Sequence, residues 1–203
     1  MEKSFSVKET KENIIIVNKS KFISIIFPIN SLEDFNVKLK DVKIQYPKAR
    51  HYCYAYIINN ICKYSDDGEP SGTAGKVMYE TLKIKNLTNV GLIIVRYFGG
   101  TRLGSGRLLR TYLKSAIDVV DLCEKFLLKE VNSFKCSLNI EYLNEFKIYL
   151  KNNHFIINNI SFNDKILIDF YTPLDFKEDI ADLFKGKVDV LSVVTKIILK
   201  EKE

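Results

Sequence analysis

Three stretches of the chain combine residue types at spacings that could do chemistry. The first is Tyr97-Phe98-Gly99-Gly100-Thr101-Arg102-Leu103-Gly104-Ser105-Gly106-Arg107, where four glycines fall within eight residues. Gly99, Gly100, Gly104 and Gly106 would let backbone amides turn toward a ligand. A helix starting at the end of the run adds about half a positive charge at its N-terminus. Arg102, Arg107 and Arg110 surround that end, with Lys114 one turn further on. The pattern suits an anion. The plainer alternative is that the glycines permit close helix–sheet packing and the arginines pair with nearby acids.

The second stretch is Tyr64-Ser65-Asp66-Asp67-Gly68-Glu69-Pro70-Ser71-Gly72-Thr73-Ala74-Gly75-Lys76. Gly75-Lys76 is not a phosphate-binding loop, because Pro70 stands where its first glycine belongs and Val77 replaces the Ser/Thr. Asp66, Asp67 and Glu69 could bind a divalent cation through oxygen. The favoured reading is a tight acidic turn whose carboxylates cap the next helix or neutralise Arg102 and Arg107.

The third is Arg50-His51-Tyr52-Cys53-Tyr54-Ala55-Tyr56-Ile57. Alternation along a strand puts Tyr52, Tyr54 and Tyr56 with Arg50 on one face, and His51, Cys53 and Ala55 on the other. The tyrosines either stack nucleobases beside the cations or form a half-buried packing face. His51 and Cys53 make a poor nucleophilic pair, since same-face neighbours on a strand are about 7 Å apart. Neither they nor Cys62 show zinc-ligand spacing, so no metal or cofactor is expected.

These groups need elements to hold them. Ser31 with Asp34 resembles a capping box, followed by Leu32, Phe35, Leu39 and Val42 at helical spacing, and the helix should stop before Pro47. Strands are expected over Asn13–Val17, Lys21–Ile29, His51–Ile58 and Val90–Phe98, with a loop over Asn59–Pro70 and a helix over Gly72–Lys83. The helix after the glycines runs to about Glu124, with Leu109, Tyr112, Leu113, Ala116 and Val120 inward and Arg107, Arg110 and Lys114 outward. Its cations lie in the first turns and Asp118, Asp121 and Glu124 in the last, against its own dipole. Helix stability alone favours the reverse, which points to an external anion.

The second half reads as β-α-β-β-α-β. The strands are Phe126–Ile140, Phe155–Phe162, Lys165–Tyr171 and Val188–Lys200, and the helices are Tyr142–Asn152 and Phe176–Lys185. Thr172-Pro173 should start the second helix and Gly186 end it. This is the ferredoxin-like, split-βαβ succession. The fold expected is α+β in two domains, 1–124 and 125–203, with the boundary marked by a change of pattern and of charge.

That change is in the arithmetic. The 203 residues carry a net charge of +6. Residues 1–125 hold 20 Lys/Arg against 13 Asp/Glu, and the remainder 11 Lys against 12 acids. All five Arg lie between positions 50 and 110. A hydrophobic share of 46% excludes a disordered or disulfide-stapled chain. The charged opening from Met1 to Glu12 has no apolar core, so a signal peptide is not expected, and no apolar run approaches the ~20 residues of a membrane span. Cys53, Cys62, Cys123 and Cys136 lack paired spacing and read as reduced thiols, so the expected setting is cytoplasmic.

Residues 50–56, 65–76 and 95–112, in that order, closely resemble the YigZ/IMPACT family. The resemblance singles out Arg50, His51, Tyr52, Cys53, Tyr54, Asp66, Asp67, Gly68, Glu69, Gly72, Thr73, Gly75, Lys76 and Arg96 as motif positions. It implies a first domain like domain IV of elongation factor G, a sheet with helices on one face, and a ferredoxin-like second domain like domain V. Val77 stands where the family usually has Pro, and Arg107 where it has a second Gly. The family has no secure enzymatic activity. Its eukaryotic members regulate translation through a protein partner, and its bacterial members are suspected RNA or ribosome binders.

The resulting expectation is a non-catalytic, translation-associated protein that binds RNA, a ribosome or another anionic partner. Arg102, Arg107, Arg110 and Lys114 would contact phosphate, and Tyr52 and Tyr54 would stack. Two alternatives stand beside it. One is a hydrolase or transferase for a small phosphorylated or acidic substrate using the Asp66-Asp67-Gly68-Glu69 loop. The other is a protein-interaction module without nucleic acid.

Overall fold

A computed structural model describes residues 4–176 and 178–200. The chain forms two compact units, one ending at Leu127 and the other spanning Leu128–Lys200. Met1–Lys3 of the charged opening, Lys177 and residues 201–203 lie outside the described residues.

In the first unit, strand β1 (Phe5–Val7) is followed by β2 (Lys11–Val17) and β3 (Ser20–Pro28). Asn18 and Lys19, both at positive φ, close the β2–β3 hairpin. Helix α1 (Leu32–Gln45) starts at Ser31 with the expected capping box, in which Ser31 Oγ accepts from the Asp34 amide and Asp34 accepts from the Ser31 amide. Then come β4 (His51–Ile58), β5 (Ile61–Ser65), α2 (Gly75–Ile84), β6 (Val90–Tyr97) and α3 (Ser105–Asp121). The sheet order is β2-β3-β6-β4-β5, every neighbouring pair antiparallel.

Strand β5 replaces part of the expected loop. It is an edge strand with four of five residues exposed, so it lacks the apolar alternation that reveals a strand. Helix α2 starts three residues later than expected, because Asp66 holds the amides of Gly72, Ala74 and Gly75 in a turn.

Both faces of this sheet are covered, whereas the family resemblance implies helices on one face only. Phe35 and Val42 of α1 pack on Ile23, Ile25, Tyr56, Ile93 and Val95. Met78 and Leu82 of α2, with Leu108, Tyr112, Ala116 and Val120 of α3, pack on Phe22, Ile26, Cys53, Ala55, Leu92 and Ile94. The central strands therefore bury both alternating sets, which explains the unbroken Leu-Ile-Ile-Val run in β6. The buried stripe of α3 is Leu108, Thr111, Tyr112, Ser115, Ala116, Val119 and Val120, while Leu113 is exposed. The expected stripe is thus turned toward two small hydroxyl residues, because Ser115 Oγ meets Ser24 Oγ of β3 at 2.5 Å.

The second unit contains the rest of β7 (Lys125–Leu138), whose first three residues pair with β1, then α4 (Leu143–Asn152), β8 (Ile156–Phe162), β9 (Ile166–Thr172), α5 (Ile180–Leu183) and β10 (Val188–Lys200). Its strands stand in the order β10-β7-β9-β8, and the β-α-β-β-α-β succession is the one expected. Phe134, Phe146, Phe170 and Phe184 build its core. Helix α5 is much shorter than the expected Phe176–Lys185. Thr172 belongs to β9, opposite Asn132, and Phe176 lays its ring against Phe134 and Phe155. The cap is Asp179, which accepts from the Ala181 and Asp182 amides. Gly186, at φ +75°, ends the helix as expected, its amide donating to the Ala181 carbonyl. Among the described residues no helix is long and apolar enough to cross a membrane.

Candidate functional site: a cation-lined cleft

The β4–β6 register puts His51 directly opposite Arg96, and the β3–β6 register puts Phe22 opposite Arg96 from the other side. All three share the sheet face covered by α2 and α3. The Arg96 guanidinium lies over the rings of Phe22 and Phe98, at 5.3 and 5.9 Å. Beside it sits Glu69, delivered by the acidic turn. Arg96 Nη1 donates to both Glu69 carboxylate oxygens at 2.6 and 2.9 Å, and the Tyr112 hydroxyl of α3 donates to Oε1 at 2.8 Å. Glu69 is 8% exposed and Arg96 6%.

The turn is built to present Glu69. Both oxygens of Asp66 are taken by backbone amides, Oδ2 by Gly72 and Oδ1 by Ala74 and Gly75, and the Asp66 carbonyl accepts from the Glu69 amide. Asp67 Oδ2 accepts from the Tyr52 amide at 2.6 Å, and Thr73 Oγ1 donates to the Pro70 carbonyl. His51 Nδ1 donates to the Asp67 carbonyl at 2.8 Å, which leaves Nε2 facing Glu69 Oε2 at 3.8 Å. The carboxylates of Asp66 and Asp67 therefore act as caps, and Glu69 neutralises Arg96 rather than Arg102 or Arg107. Among the described residues no cluster of His, Cys, Asp and Glu has the arrangement of a metal site.

Cys53 lies under the turn, its thiol 3.0 Å from the Asp66 carbonyl and 3.3 Å from the Tyr112 hydroxyl. Burial pushes that thiol well above its ordinary range, with the acids of the turn adding to the effect. Burial does the same to the Tyr112 hydroxyl. Both groups keep their protons at neutral pH, so Cys53 is a packing residue here and not a nucleophile.

Above this cluster opens a cleft of ≈ 510 Å³ lined by Arg50, His51, Gly68, Glu69, Pro70, Arg96, Phe98, Arg102, Leu103, Gly104, Ser105 and Leu108. The Arg50 amide donates to the Arg96 carbonyl, tying the start of β4 to the end of β6. Gly104, at φ +76°, turns the chain into α3 and offers no side-chain cap.

The sequence-predicted residues thus divide. Arg50, His51, Gly68, Glu69, Arg96, Arg102 and Gly104 meet at the cleft. Arg107, Arg110 and Lys114 are exposed on α3 and do not line it. Lys114 is paired with Asp118 at 2.7 Å, so it is not a free cation. Gly100, Gly106 and Lys76 are exposed, while Gly72, Thr73 and Gly75 belong to the turn. Gly99 serves packing, because a Cβ there would come within 2.2 Å of the Lys19–Ser20 backbone. Its amide is already bonded to Ser20 Oγ. The stacking role expected for Tyr52 and Tyr54 is overturned. They lie on the opposite face, Tyr54 against Phe35 at 5.1 Å and Tyr52 donating its hydroxyl to the Tyr46 carbonyl. Sequence reasoning missed Phe98 and Tyr112 as site residues. The one available signal was a tyrosine in an inward stripe, whose hydroxyl needs a buried partner.

Fold and site together define a two-unit α+β protein with a cation-lined cleft around a buried Glu–Arg pair. The Impact N-terminal domain family model matches residues 18–120, which include every residue lining the cleft. The IMPACT family member YvyE of Bacillus subtilis (strain 168) is 32% identical over 196 residues, spanning 92% of this chain and 89% of that protein. The IMPACT family member YigZ of Escherichia coli (strain K12) is 35% identical over 101 residues, 47% of this chain and 50% of that one. A crystal structure of a hypothetical protein, 23% identical, covers 100% of this chain and 99% of its own with a TM-score of 0.67, a likeness of fold. The chain belongs to the IMPACT family.

Proposed function

We propose that this IMPACT-family chain is a non-catalytic, cytoplasmic protein associated with translation or its regulation, and that it binds RNA or the RNA surface of a ribosome. Residues 1–124 supply the contact, and residues 125–203, with their ferredoxin-like strand order, act as a docking module. The observation that carries this reading is the state of the arginines. Arg102, Arg107 and Arg110 are all exposed, and among the described residues none makes an ion pair. Exposed guanidiniums on the first turns of a helix oppose its dipole, a cost that a bound phosphate backbone removes. Both carboxylate oxygens of Asp66, and Oδ2 of Asp67, are engaged by backbone amides, which speaks against a catalytic use of the acidic turn. Membership of a family with translational regulators supports the setting.

The test is binding of a labelled single-stranded RNA between about 50 and 300 mM salt, with affinity falling linearly on a log–log plot. The double variant Arg107→Ala/Arg110→Ala should reduce the slope by about 1.4, at ~0.7 per lost contact. A flat profile, or unchanged affinity in the variant, overturns the proposal. A stoichiometric protein partner that survives nuclease treatment would replace RNA with protein.

A further inference from the structure

We infer that the cleft of the first unit is a binding site for a phosphomonoester carrying a flat apolar group. The ligand class is a nucleoside 5′-monophosphate, either free or as the 5′ end of an RNA. In the second case the inference rests on the RNA reading above; in the first it stands alone.

Charge selects the phosphate. Glu69 is the acid in the cleft, and Arg96 with Tyr112 already satisfies it. Arg50 and Arg102 remain, and among the described residues neither has an ion-pair partner. Two uncompensated guanidiniums match the dianion of a phosphomonoester, and their planar forks fit its oxygens. The start of the 17-residue helix α3 opens on the same cleft through Gly104 and Ser105, with no acid in its first turn.

The organic part is selected by the apolar lining of the cleft. Phe98 is 44% exposed at the cleft, beside Pro70, Leu103 and Leu108. An exposed ring next to guanidiniums offers a stacking surface for a base. The volume of ≈ 510 Å³ lies within the span typical of small-molecule sites, about 300–1,000 Å³.

The experiment is calorimetric titration of the full chain with AMP, adenosine, inorganic phosphate and acetate. It is repeated on Arg50→Ala/Arg102→Ala, on Phe98→Ala and on Arg107→Ala/Arg110→Ala. Arg50, Arg102 and Phe98 are exposed enough for truncation to spare the fold, checked by an unchanged melting transition. AMP should bind and adenosine should not. Loss of Arg50 and Arg102 should weaken AMP at least about tenfold, corresponding to about 1.4 kcal/mol. Phe98→Ala should weaken AMP while leaving inorganic phosphate unchanged. Arg107→Ala/Arg110→Ala should leave AMP affinity intact, which separates the cleft from the RNA reading. A 5′-phosphorylated RNA binding more tightly than its 5′-hydroxyl twin would identify the RNA end as the source, and equal binding the free nucleotide. Absence of AMP binding, equal binding of adenosine or acetate, or full affinity without Arg50 and Arg102 overturns the inference.

Discussion

Glu69 places both carboxylate oxygens on one nitrogen of Arg96, at 2.6 and 2.9 Å, in a spot where neither side chain is more than 8% exposed. Removing one partner leaves the other as a buried, unmatched charge. Glu69→Ala should therefore cost about 3–5 kcal/mol in urea unfolding. The double change Glu69→Leu/Arg96→Met should cost less than Glu69→Ala, because it removes both charges together. A single variant as stable as the parent would show the pair to be screened by water.

Gly99 and Gly104 make opposite demands on a methyl group. At Gly99 a Cβ would sit 2.2 Å from the Lys19 carbonyl carbon and the Ser20 nitrogen, backbone atoms that cannot swing aside. At Gly104 nothing lies within 4 Å, and only the φ of +76° resists. Gly104→Ala should cost about 1–3 kcal/mol. Gly99→Ala should cost more, since the β2–β3 turn has to move. Thermal melts of the two variants decide the order.

The four thiols should separate sharply by reactivity. Cys62 is exposed on edge strand β5. Cys53 and Cys136 are buried, and burial pushes Cys136 up to about 12. Cys123 is half-buried and also raised by burial. A thiol reagent on the folded chain should label one site fast, and Cys62→Ser should abolish that phase. Fast labelling of Cys53 would show that the acidic turn opens.

Asp34 gives the capping box a pH signature. The Asn30 amide foremost, then the Ser31 hydroxyl and amide, hold its carboxyl below the usual range. A group depressed on folding contributes stability that is present above its unfolded pKa and is lost as pH falls through the folded one. The drop in urea midpoint between about pH 7 and about pH 3 should therefore be smaller in Asp34→Asn than in the parent. An identical drop would show that the cap has no charge component. Ser31→Ala, which removes the other half of the box, should cost about 0.5–2 kcal/mol at pH 7 and less toward pH 3, because the hydroxyl also helps hold Asp34 low.

Local signals in the chain were enough for much of this molecule. The Ser31–Asp34 box, the alternation of β4, the apolar run of β6, the stop at Gly186 and the β-α-β-β-α-β succession each depend on residues a few positions apart. They could therefore be read before the chain was folded. So could the concentration of arginine and glycine between positions 50 and 110. What only the tertiary structure decided was pairing and facing. Strand register set His51 opposite Arg96, and the turn held by Asp66 carried Glu69 to them. The docking of α1 buried Tyr56 and half-buried Tyr54, which a one-strand reading could leave open for bases. The Lys114–Asp118 pair, four residues apart on one helix, needed no tertiary structure and was within reach of the sequence. Composition and period report which residues avoid water, but a partner tens of residues away is chosen by the whole sheet. For that reason the cations were legible in the sequence and the cleft they line was not.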